Sequence, residues 1–311
     1  MTDHSSNARV VLRTFWNIDS EPVKVDIGVN KETWRVGAYW LNAEPIDQLH
    51  RIERELSLLD LLSATPDLPF CLPLVVPNRF EELPIHFEQV WRLSEHVDGR
   101  APIVNSVDDL DAVTRGIARL HIWSSHLSPI STPTELDSYG YFQNAVSLLE
   151  NEVLPLSRLD RISLTEGEEF VNSKFKAFQQ NRQLVHGDPS YPNLRVMENQ
   201  GVSLTGLIDW ESSRVDSTIS DLAVLGQTVV FRFQSKQTLI NLLRILDVYA
   251  QASGTEFQLQ ELFTAMVLGK FESIFHHGCR FLQGRAEASM VSSQASKIAA
   301  ILTLKDFAAN Q

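Results

Sequence analysis

The chain has 311 residues, of which 43% are apolar and 21% are charged, and this composition excludes a largely disordered protein. A net charge of −12 disfavours binding to nucleic acid and to anionic membranes, because both attract basic surfaces. No run of about 18 apolar residues predicts a membrane-spanning helix, and the polar start lacks the apolar segment of a signal peptide. We therefore expect a cytoplasmic globular protein whose length favours two lobes.

Two cysteines, Cys71 and Cys279, are present, without a Cys-x-x-Cys pair and without the spacing of metal ligands. Disulfide frameworks and structural zinc sites require more cysteines or histidines at such spacings. We predict two buried free thiols.

The first part of the chain has the pattern of a small β sheet with one helix. β-Branched and aromatic residues broken by turn formers predict hairpins over residues 10–42. Apolar residues at helical spacing predict a helix over residues 46–64, which Thr65-Pro66 ends. Alternating apolar and polar residues predict a further strand over residues 86–93.

Helical patterns dominate after that strand. The turn residues Asp98-Gly99 lead us to place an N-terminal lobe at residues 1–94 and a C-terminal lobe at residues 95–311. Ser106 begins a capping box that predicts the first helix of the second lobe. Further helices are predicted over residues 139–153, 165–179, 219–233, 237–252 and 258–284.

Short strands interrupt these helices. We predict them around residues 184–185 and 194–196, followed by a turn at residues 199–201 and a strand over residues 204–208. The residues with the chemistry of an active site cluster in this segment.

That segment contains His186, Asp188 and Asn193, and a second aspartate, Asp209, follows the last strand. Phosphoryl transfer needs a group that orients or deprotonates the attacking hydroxyl, together with oxygen ligands that hold Mg²⁺ against the nucleotide phosphates. Two carboxylates and an amide supply both requirements. Asp188 and Asn193 also have the five-residue spacing of the base and the metal-binding asparagine in a protein kinase catalytic loop.

This pattern, His-Gly-Asp188 with Asn193 and then Ile-Asp209-Trp-Glu, resembles the aminoglycoside phosphotransferase and choline kinase superfamily. The resemblance implies an α+β, bilobal, protein-kinase-like fold with a small β-rich N-lobe and a larger helical C-lobe. It further implies that ATP, or GTP, binds with Mg²⁺ in the cleft and that the γ-phosphoryl group passes to a hydroxyl of a small molecule. By the same resemblance Asp188 is the catalytic base, His186 supports the loop, and Asn193 and Asp209 are Mg²⁺ ligands.

The resemblance extends over about residues 25 to 225. It implies that the turn containing Gly28 and Asn30 faces the nucleotide phosphates and that Glu55 is the glutamate of the N-lobe helix. The strand that ends near Glu95 is similar to the hinge that receives adenine. Asp221, in an Asp-Leu-Ala segment, is similar to the family's buried anchor of the catalytic loop. Gly28 is equally compatible with an ordinary hairpin and Glu55 with an exposed helix carboxylate.

One position departs from the family pattern. Asn42 stands where the family has a lysine or arginine that pairs with the α- and β-phosphates and with the helix glutamate. An asparagine amide donates hydrogen bonds but carries no charge. Lys24, Lys31 and Arg35 are candidates to replace the missing cation from a neighbouring strand.

Three alternatives remain open at this point. A kinase that modifies a peptide or protein has the same motifs, and a nucleotide-binding pseudokinase is suggested by Asn42. A metal-dependent hydrolase would need more histidine or aspartate ligands than this segment supplies. The acceptor, the choice between ATP and GTP, and the oligomeric state are also open; an acidic surface weakly favours a cationic substrate.

Overall fold

The computed structural model describes residues 4–25, 31–80, 82–127, 136–151, 153–174, 182–199, 201–231 and 235–310. The chain divides into two compact units. The N-terminal unit consists of Met1–Gly99 together with Gly206–Glu211, and the C-terminal unit consists of Arg100–Thr205 and Ser212–Gln311. The segment that carries Asp209 therefore belongs to the N-terminal unit.

The N-terminal unit is built on a five-stranded antiparallel sheet with strand order β1-β2-β3-β5-β4. A helix precedes the sheet and a second helix lies between its third and fourth strands. The elements are α1 (His4–Val11), which continues as a π-helical turn (Leu12–Trp16), β1 (Val23–Val25), β2 (Glu32–Val36), β3 (Tyr39–Pro45), α2 (Leu49–Ala64), β4 (Ile85–His86) and β5 (Gln89–Glu95).

The core of this unit is formed by the sheet and the first helix. Trp34 of β2 and Trp91 of β5 are fully buried and stacked, with ring centroids 5.4 Å apart. Ala8, Val11 and Leu12 are buried against the same cluster. Residues 10–16 are therefore helical and not part of a hairpin, and the three- and four-residue spacing of these apolar residues was the signal for it.

The predicted strand over residues 86–93 is two strands. β4 and β5 form a tight hairpin in which Phe87 and Glu88 are the turn residues, with φ angles of 53° and 59°. Two consecutive residues in the left-handed region match the twist of a two-residue hairpin, although asparagine and glycine are the usual occupants. Since neither turn residue is a typical turn former, the alternating pattern continued through the turn and concealed it.

The C-terminal unit is mainly helical, with two small two-stranded sheets, β6 with β9 and β7 with β8. An α+β protein with a β-rich first part and a helical remainder is thus confirmed. The elements are α3 (Val107–Ser125), α4 (Ser138–Asn151), α5 (Arg158–Lys174), β6 (Arg182–Val185), β7 (Leu194–Glu198), β8 (Val202–Leu207), β9 (Arg214–Ser217), α6 (Ile219–Val230), α7 (Ser235–Ser253), α8 (Leu259–Leu282) and α9 (Ala288–Ala309).

The helix boundaries agree with the sequence patterns where a cap or an apolar stripe defines them. The Ser106 hydroxyl accepts a hydrogen bond from the Asp109 amide at 3.1 Å, which confirms the predicted cap of α3. Two differences stand out: α5 begins at Arg158, earlier than predicted, and α9 was not predicted. Among the described residues, no helix combines the length and the apolarity needed to cross a bilayer.

Both cysteines are free thiols, as expected, but only one is shielded. Cys279 is half-buried, and this burial raises the pKa of its thiol. Cys71 is exposed, so the prediction of a buried thiol there was wrong. The Cys71 carbonyl accepts a hydrogen bond from the Leu207 amide at 3.3 Å, so its position is held through the backbone and its side chain is left in solvent.

Candidate functional site

The loop that carries His186 and Asp188 is held by a carboxylate with no exposure to solvent. Asp221, in the first turn of α6, accepts hydrogen bonds from the backbone amides of His186 at 3.0 Å and Gly187 at 2.8 Å. The Nε2 atom of buried His121 donates to the same carboxylate at 3.0 Å. Burial alone raises the pKa of the Asp221 carboxyl, but these hydrogen bonds outweigh it and the pKa is lowered. The expected burial of Asp221 is confirmed.

Gly187 allows the loop to approach the segment after β8 closely. Its φ angle is +83°, and a Cβ atom at this position would lie 2.1 Å from the Ser212 carbonyl oxygen. No residue other than glycine fits this backbone without displacing Ser212. His186 beside it is fully buried, and its carbonyl accepts from the Ser213 hydroxyl at 3.0 Å. The backbone of His186 is therefore fixed two residues before Asp188.

Asp188 and Asn193 are joined by direct hydrogen bonds. The Asn193 side-chain nitrogen donates to the Asp188 carboxylate and to the Asp188 carbonyl, both at 3.0 Å. A turn over Tyr191–Asn193, closed by the Asn193 amide and the Ser190 carbonyl at 2.8 Å, brings the two side chains together. Because the amide nitrogen is turned toward Asp188, the amide oxygen is the atom left for a cation.

In the N-terminal unit, the helix glutamate Glu55 is bound by an arginine that was not predicted. The buried guanidinium of Arg92, in β5, donates to Glu55 through one nitrogen and to Glu44 through the other at 2.8 Å. Burial alone would lower the pKa of Arg92, but Glu55 and Glu44 raise it above its ordinary value. Glu55 in turn accepts from the Trp210 amide at 3.1 Å, next to Asp209.

Asn42 lies beside this ion pair and does not take part in it. The strand register places Asn42 of β3 opposite Arg92 of β5, and the Asn42 amide oxygen accepts from the Thr33 hydroxyl at 2.9 Å. The cation missing at position 42 is thus present one strand away. A charged residue within the buried, inward-facing run of β5 was the signal for Arg92, but the strand register was needed to recognise it.

Asp209 is paired with a lysine. The Lys31 ammonium lies 2.6 Å from one oxygen of Asp209, whose backbone has a φ angle of 66°. Burial lowers the pKa of Lys31, but the charges of Asp209, Glu55 and Glu211 together outweigh it and the pKa is raised. Glu211 follows in the same segment, where burial and then the Asp209 charge raise the pKa of its carboxyl to about 7.

The other predicted nucleotide contacts have different outcomes. Lys24 is paired with Glu32 at 3.0 Å, and Arg35 donates to the Gly37 carbonyl at 2.6 Å. Among the described residues, Lys31 is the candidate cation that contacts a predicted site residue. The Glu95 amide at the end of β5 donates to the Leu74 carbonyl at 2.8 Å, and its side chain is exposed. Gly28 and Asn30 lie outside the described residues.

A sequence model of the phosphotransferase enzyme family matches residues 23–257, which is most of the chain. The chain belongs to this family. The resemblance to the aminoglycoside phosphotransferase and choline kinase superfamily is thereby confirmed. No curated protein matches the chain.

Solved structures share the fold of this phosphotransferase at low sequence identity. The GDP complex of aminoglycoside 2′-phosphotransferase-IIIa has a TM-score of 0.72 and 15% identity, covering 97% of this chain and 98% of that chain. A microcompartment-associated aminopropanol kinase has a TM-score of 0.69 and 16% identity, covering 98% of each chain. An aminoglycoside phosphotransferase from Streptomyces rimosus has a TM-score of 0.65 and 19% identity, covering 88% of this chain and 99% of that chain. These similarities establish the protein-kinase-like fold.

The C-terminal unit of the phosphotransferase also contains a buried lysine in α8. Lys270 is 8% exposed, and its ammonium lies 5.9 Å from the ring centre of Phe231. Burial, and then the Lys297 charge, lower the pKa of Lys270 to about 8, while the Asp188 and Glu272 carboxylates act in the opposite direction. No sequence pattern had indicated this lysine, because α8 reads as a core helix.

The buried pairing of Arg92 with Glu55 and Glu44 gives a prediction for stability. Arg92→Met should lower the free energy of unfolding by about 3 to 5 kcal/mol, because it leaves Glu55 buried without its cation. Urea denaturation measures this change. Arg13→Met is the control: Arg13 is paired with Asp19 at 2.5 Å, but on the surface, and its loss should have a much smaller effect. Equal effects would show that Arg92 does not stabilise the glutamates.

Lys270 gives a prediction for pH. Because the pKa of Lys270 is lowered on folding, the unfolded chain binds the lysine proton more tightly than the folded protein does. The buried charge therefore lowers the free energy of unfolding in full below pH 8, and this loss disappears as the pH rises from about 8 to 10.5. Lys270→Met should therefore be more stable than the wild type at pH 7, by on the order of 2 kcal/mol. The difference should shrink toward pH 10. Chemical denaturation of both proteins across this range measures it, and a pH-independent difference would contradict it.

Proposed function

We propose that the protein is a kinase that uses ATP or GTP with Mg²⁺ and transfers the γ-phosphoryl group to a hydroxyl of a small molecule. The observation that carries this proposal is the hydrogen-bonded pair of Asp188 and Asn193 on a loop held by buried Asp221. Membership of the phosphotransferase family supports it. So do the nucleotide and acceptor complexes of proteins with this fold, one with ADP and streptomycin and one with GDP and kanamycin.

Asp188 is the group that receives the acceptor. Its carboxylate accepts a hydrogen bond from the acceptor hydroxyl and takes the proton as the hydroxyl oxygen forms a bond to the γ-phosphorus. The bond between that phosphorus and the β,γ-bridging oxygen breaks, and the nucleoside diphosphate leaves. The hydrogen bond from Asn193 fixes the direction of the Asp188 carboxylate, which orients it for the hydroxyl.

The residues at the predicted metal positions fit Mg²⁺ chemically. Asn193 presents an amide oxygen and Asp209 a carboxylate, which are the hard oxygen ligands that Mg²⁺ prefers. Asp209 already binds a cation, the Lys31 ammonium at 2.6 Å. When bound, Mg²⁺ would neutralise charge on the nucleotide phosphates.

Lys31 and Arg92 together supply the two roles that the family assigns to its lysine, which are neutralising the phosphates and pairing with the helix glutamate. Arg92 holds Glu55, which positions the Trp210 amide and thereby the Asp209 segment. Lys31 follows the turn predicted to face the phosphates and lies at Asp209. We assign the phosphate-neutralising role to Lys31 and a positioning role to Arg92. Glu95 remains the predicted hinge residue, although its backbone amide already donates to the Leu74 carbonyl.

The pseudokinase hypothesis and the peptide or protein kinase hypothesis differ in the observations that support them. The pseudokinase hypothesis rested on Asn42, and the pairing of Arg92 with Glu55 removes much of its motivation because the helix glutamate has a cation. No contact among the described residues favours a peptide or protein acceptor over a small molecule. We therefore retain the small-molecule kinase as the proposed function, with nucleotide binding assigned to residues 1–94 and acceptor binding to residues 95–311.

The role of Asp188 can be tested with an isosteric variant. Asp188→Asn should lower kcat by about 100- to 10,000-fold, because the amide cannot take the hydroxyl proton, while the amide oxygen still accepts from Asn193 and preserves the loop. A coupled assay of nucleoside diphosphate release measures kcat. Asp306→Asn, which changes an exposed carboxylate of α9, is the matched control and should retain full activity. Wild-type kcat in Asp188→Asn would rule out the proposed role.

A further inference from the structure

Two lysines of the C-terminal unit converge on one aromatic ring. Lys270 of α8 and Lys297 of α9 each place the ammonium nitrogen 5.9 Å from the ring centre of Phe231, which follows α6. Phe231 is 39% exposed, so solutes can reach the ring. The ring face attracts each cation weakly, but the two like charges repel each other. We call these three residues the lysine cluster.

Among the described residues, the ammonium groups of the lysine cluster have no direct ion pair, although the Asp188 and Glu272 carboxylates act on Lys270 from a distance. In the described part of the chain, no carboxylate lies within 4 Å of the ammonium group of Lys270 or Lys297. Glu272 is only two residues from Lys270, but its two oxygens accept from the Arg214 guanidinium at 3.1 and 3.0 Å. Lys297 has a contact with the Gln294 amide oxygen at 3.5 Å, which is neutral and long for a hydrogen bond.

Other buried cations of the protein are paired. Arg92 has two glutamates, and Arg214, which is 2% exposed, has Asp216 and Glu272. A buried ammonium without a carboxylate costs stability. Destabilising arrangements of this kind are typical of binding and catalytic sites, where a ligand supplies the missing charge. An anion is the ligand that the lysine cluster lacks.

The position of the lysine cluster relates it to the acceptor. The Asp188 carboxylate lies close enough to Lys270 for its charge to act on the lysine. Asp188 and Lys270 both belong to the C-terminal unit. A molecule whose hydroxyl is bound by Asp188 is therefore within electrostatic reach of Lys270.

We propose that the acceptor carries an anionic group, a carboxylate or a phosphate, which binds to Lys270 and Lys297 beside Phe231 while the acceptor hydroxyl is held by Asp188. This proposal rests on the proposed function, because it assumes that Asp188 binds the acceptor. It predicts the opposite preference from the weak indication of the acidic net charge. It also separates this protein from the similar structures, whose named substrates include aminoglycosides and aminopropanol.

Four three-carbon probes that share a diol test the proposal: glycerate carries a carboxylate, glycerol 3-phosphate a phosphate, glycerol no charge and 3-amino-1,2-propanediol an ammonium. Each is titrated calorimetrically into the full-length protein saturated with Mg²⁺ and a nonhydrolysable ATP analogue. Glycerate, glycerol 3-phosphate or both should bind at least about tenfold more tightly than glycerol and the amine. Comparing the two anions distinguishes a carboxylate from a phosphate acceptor.

Variants assign the preference to the lysine cluster. Lys270→Met should remove the preference for the anionic probes and leave binding of the nucleotide analogue unchanged. Lys305→Met is the matched control, because Lys305 also lies over a ring, that of Phe170 at 5.0 Å, but is paired with Asp306 at 2.9 Å. This control should keep the preference.

The outcomes separate the two proposals. If no anionic probe binds more tightly than glycerol, or if Lys270→Met retains the preference, the anionic acceptor is overturned while nucleotide binding still supports the proposed function. If the ATP analogue itself fails to bind, the proposed function fails first. A tighter binding of the amine would indicate a cationic acceptor and would also overturn the proposal.

Discussion

The Asp221 carboxylate carries a buried negative charge that accepts hydrogen bonds from the active loop and from His121 of α3. Its oxygens accept from the His186 and Gly187 amides and from the His121 imidazole, and His121 is itself 2.9 Å from the Tyr249 hydroxyl. Hydrogen bonds to a charged group contribute about 1.5 to 3 kcal/mol each, and leaving such a charge unsatisfied would cost more. The loop conformation is therefore required by the core of the C-terminal unit. The loop conformation in turn determines the positions of Asp188 and Asn193.

Charge balance differs between the two units. In the N-terminal unit, glutamates that would be costly to bury alone are matched by Arg51 and Arg92, and Asp209 is matched by Lys31. Asn42 carries no charge, and the helix glutamate Glu55 is paired with Arg92 from the adjacent strand. In the described part of the C-terminal unit, the lysine cluster has no ion pair with a carboxylate. These cations of the N-terminal unit are thus paired with carboxylates, whereas the lysine cluster has no direct ion pair among the described residues. This contrast is the basis for assigning ligand binding to the lysine cluster.

Sequence patterns predicted the parts of the molecule that local chemistry determines. The spacing of Asp188, Asn193 and Asp209 identified the family, the cap at Ser106 located α3, and the Asp-Leu-Ala segment identified the anchor Asp221. Features set by tertiary contacts were missed. Arg92 is recognised only from the register of β3 and β5, and the hairpin at Phe87 has none of the usual turn residues.

Two further omissions have the same origin. Within residues 6–16, Ala8, Val11 and Leu12 are the fully buried apolar residues, and the helical spacing of three residues among exposed neighbours was easily overlooked. Lys270 lies among the buried apolar residues of α8. A single charged residue in such a pattern does not by itself indicate a binding site. Its significance comes from Phe231 and Lys297, which the fold brings to it from two other elements.

The most direct test of the proposed function is a calorimetric titration of the protein with a nonhydrolysable ATP analogue and its GTP counterpart, each in the presence and absence of Mg²⁺. The account predicts binding in the micromolar range, about −8 kcal/mol, that depends on the metal. Binding of either nucleotide that is lost without Mg²⁺ would support a working kinase in which Asp209 and Asn193 hold the metal. Absence of binding, or equal affinity with and without Mg²⁺, would contradict it.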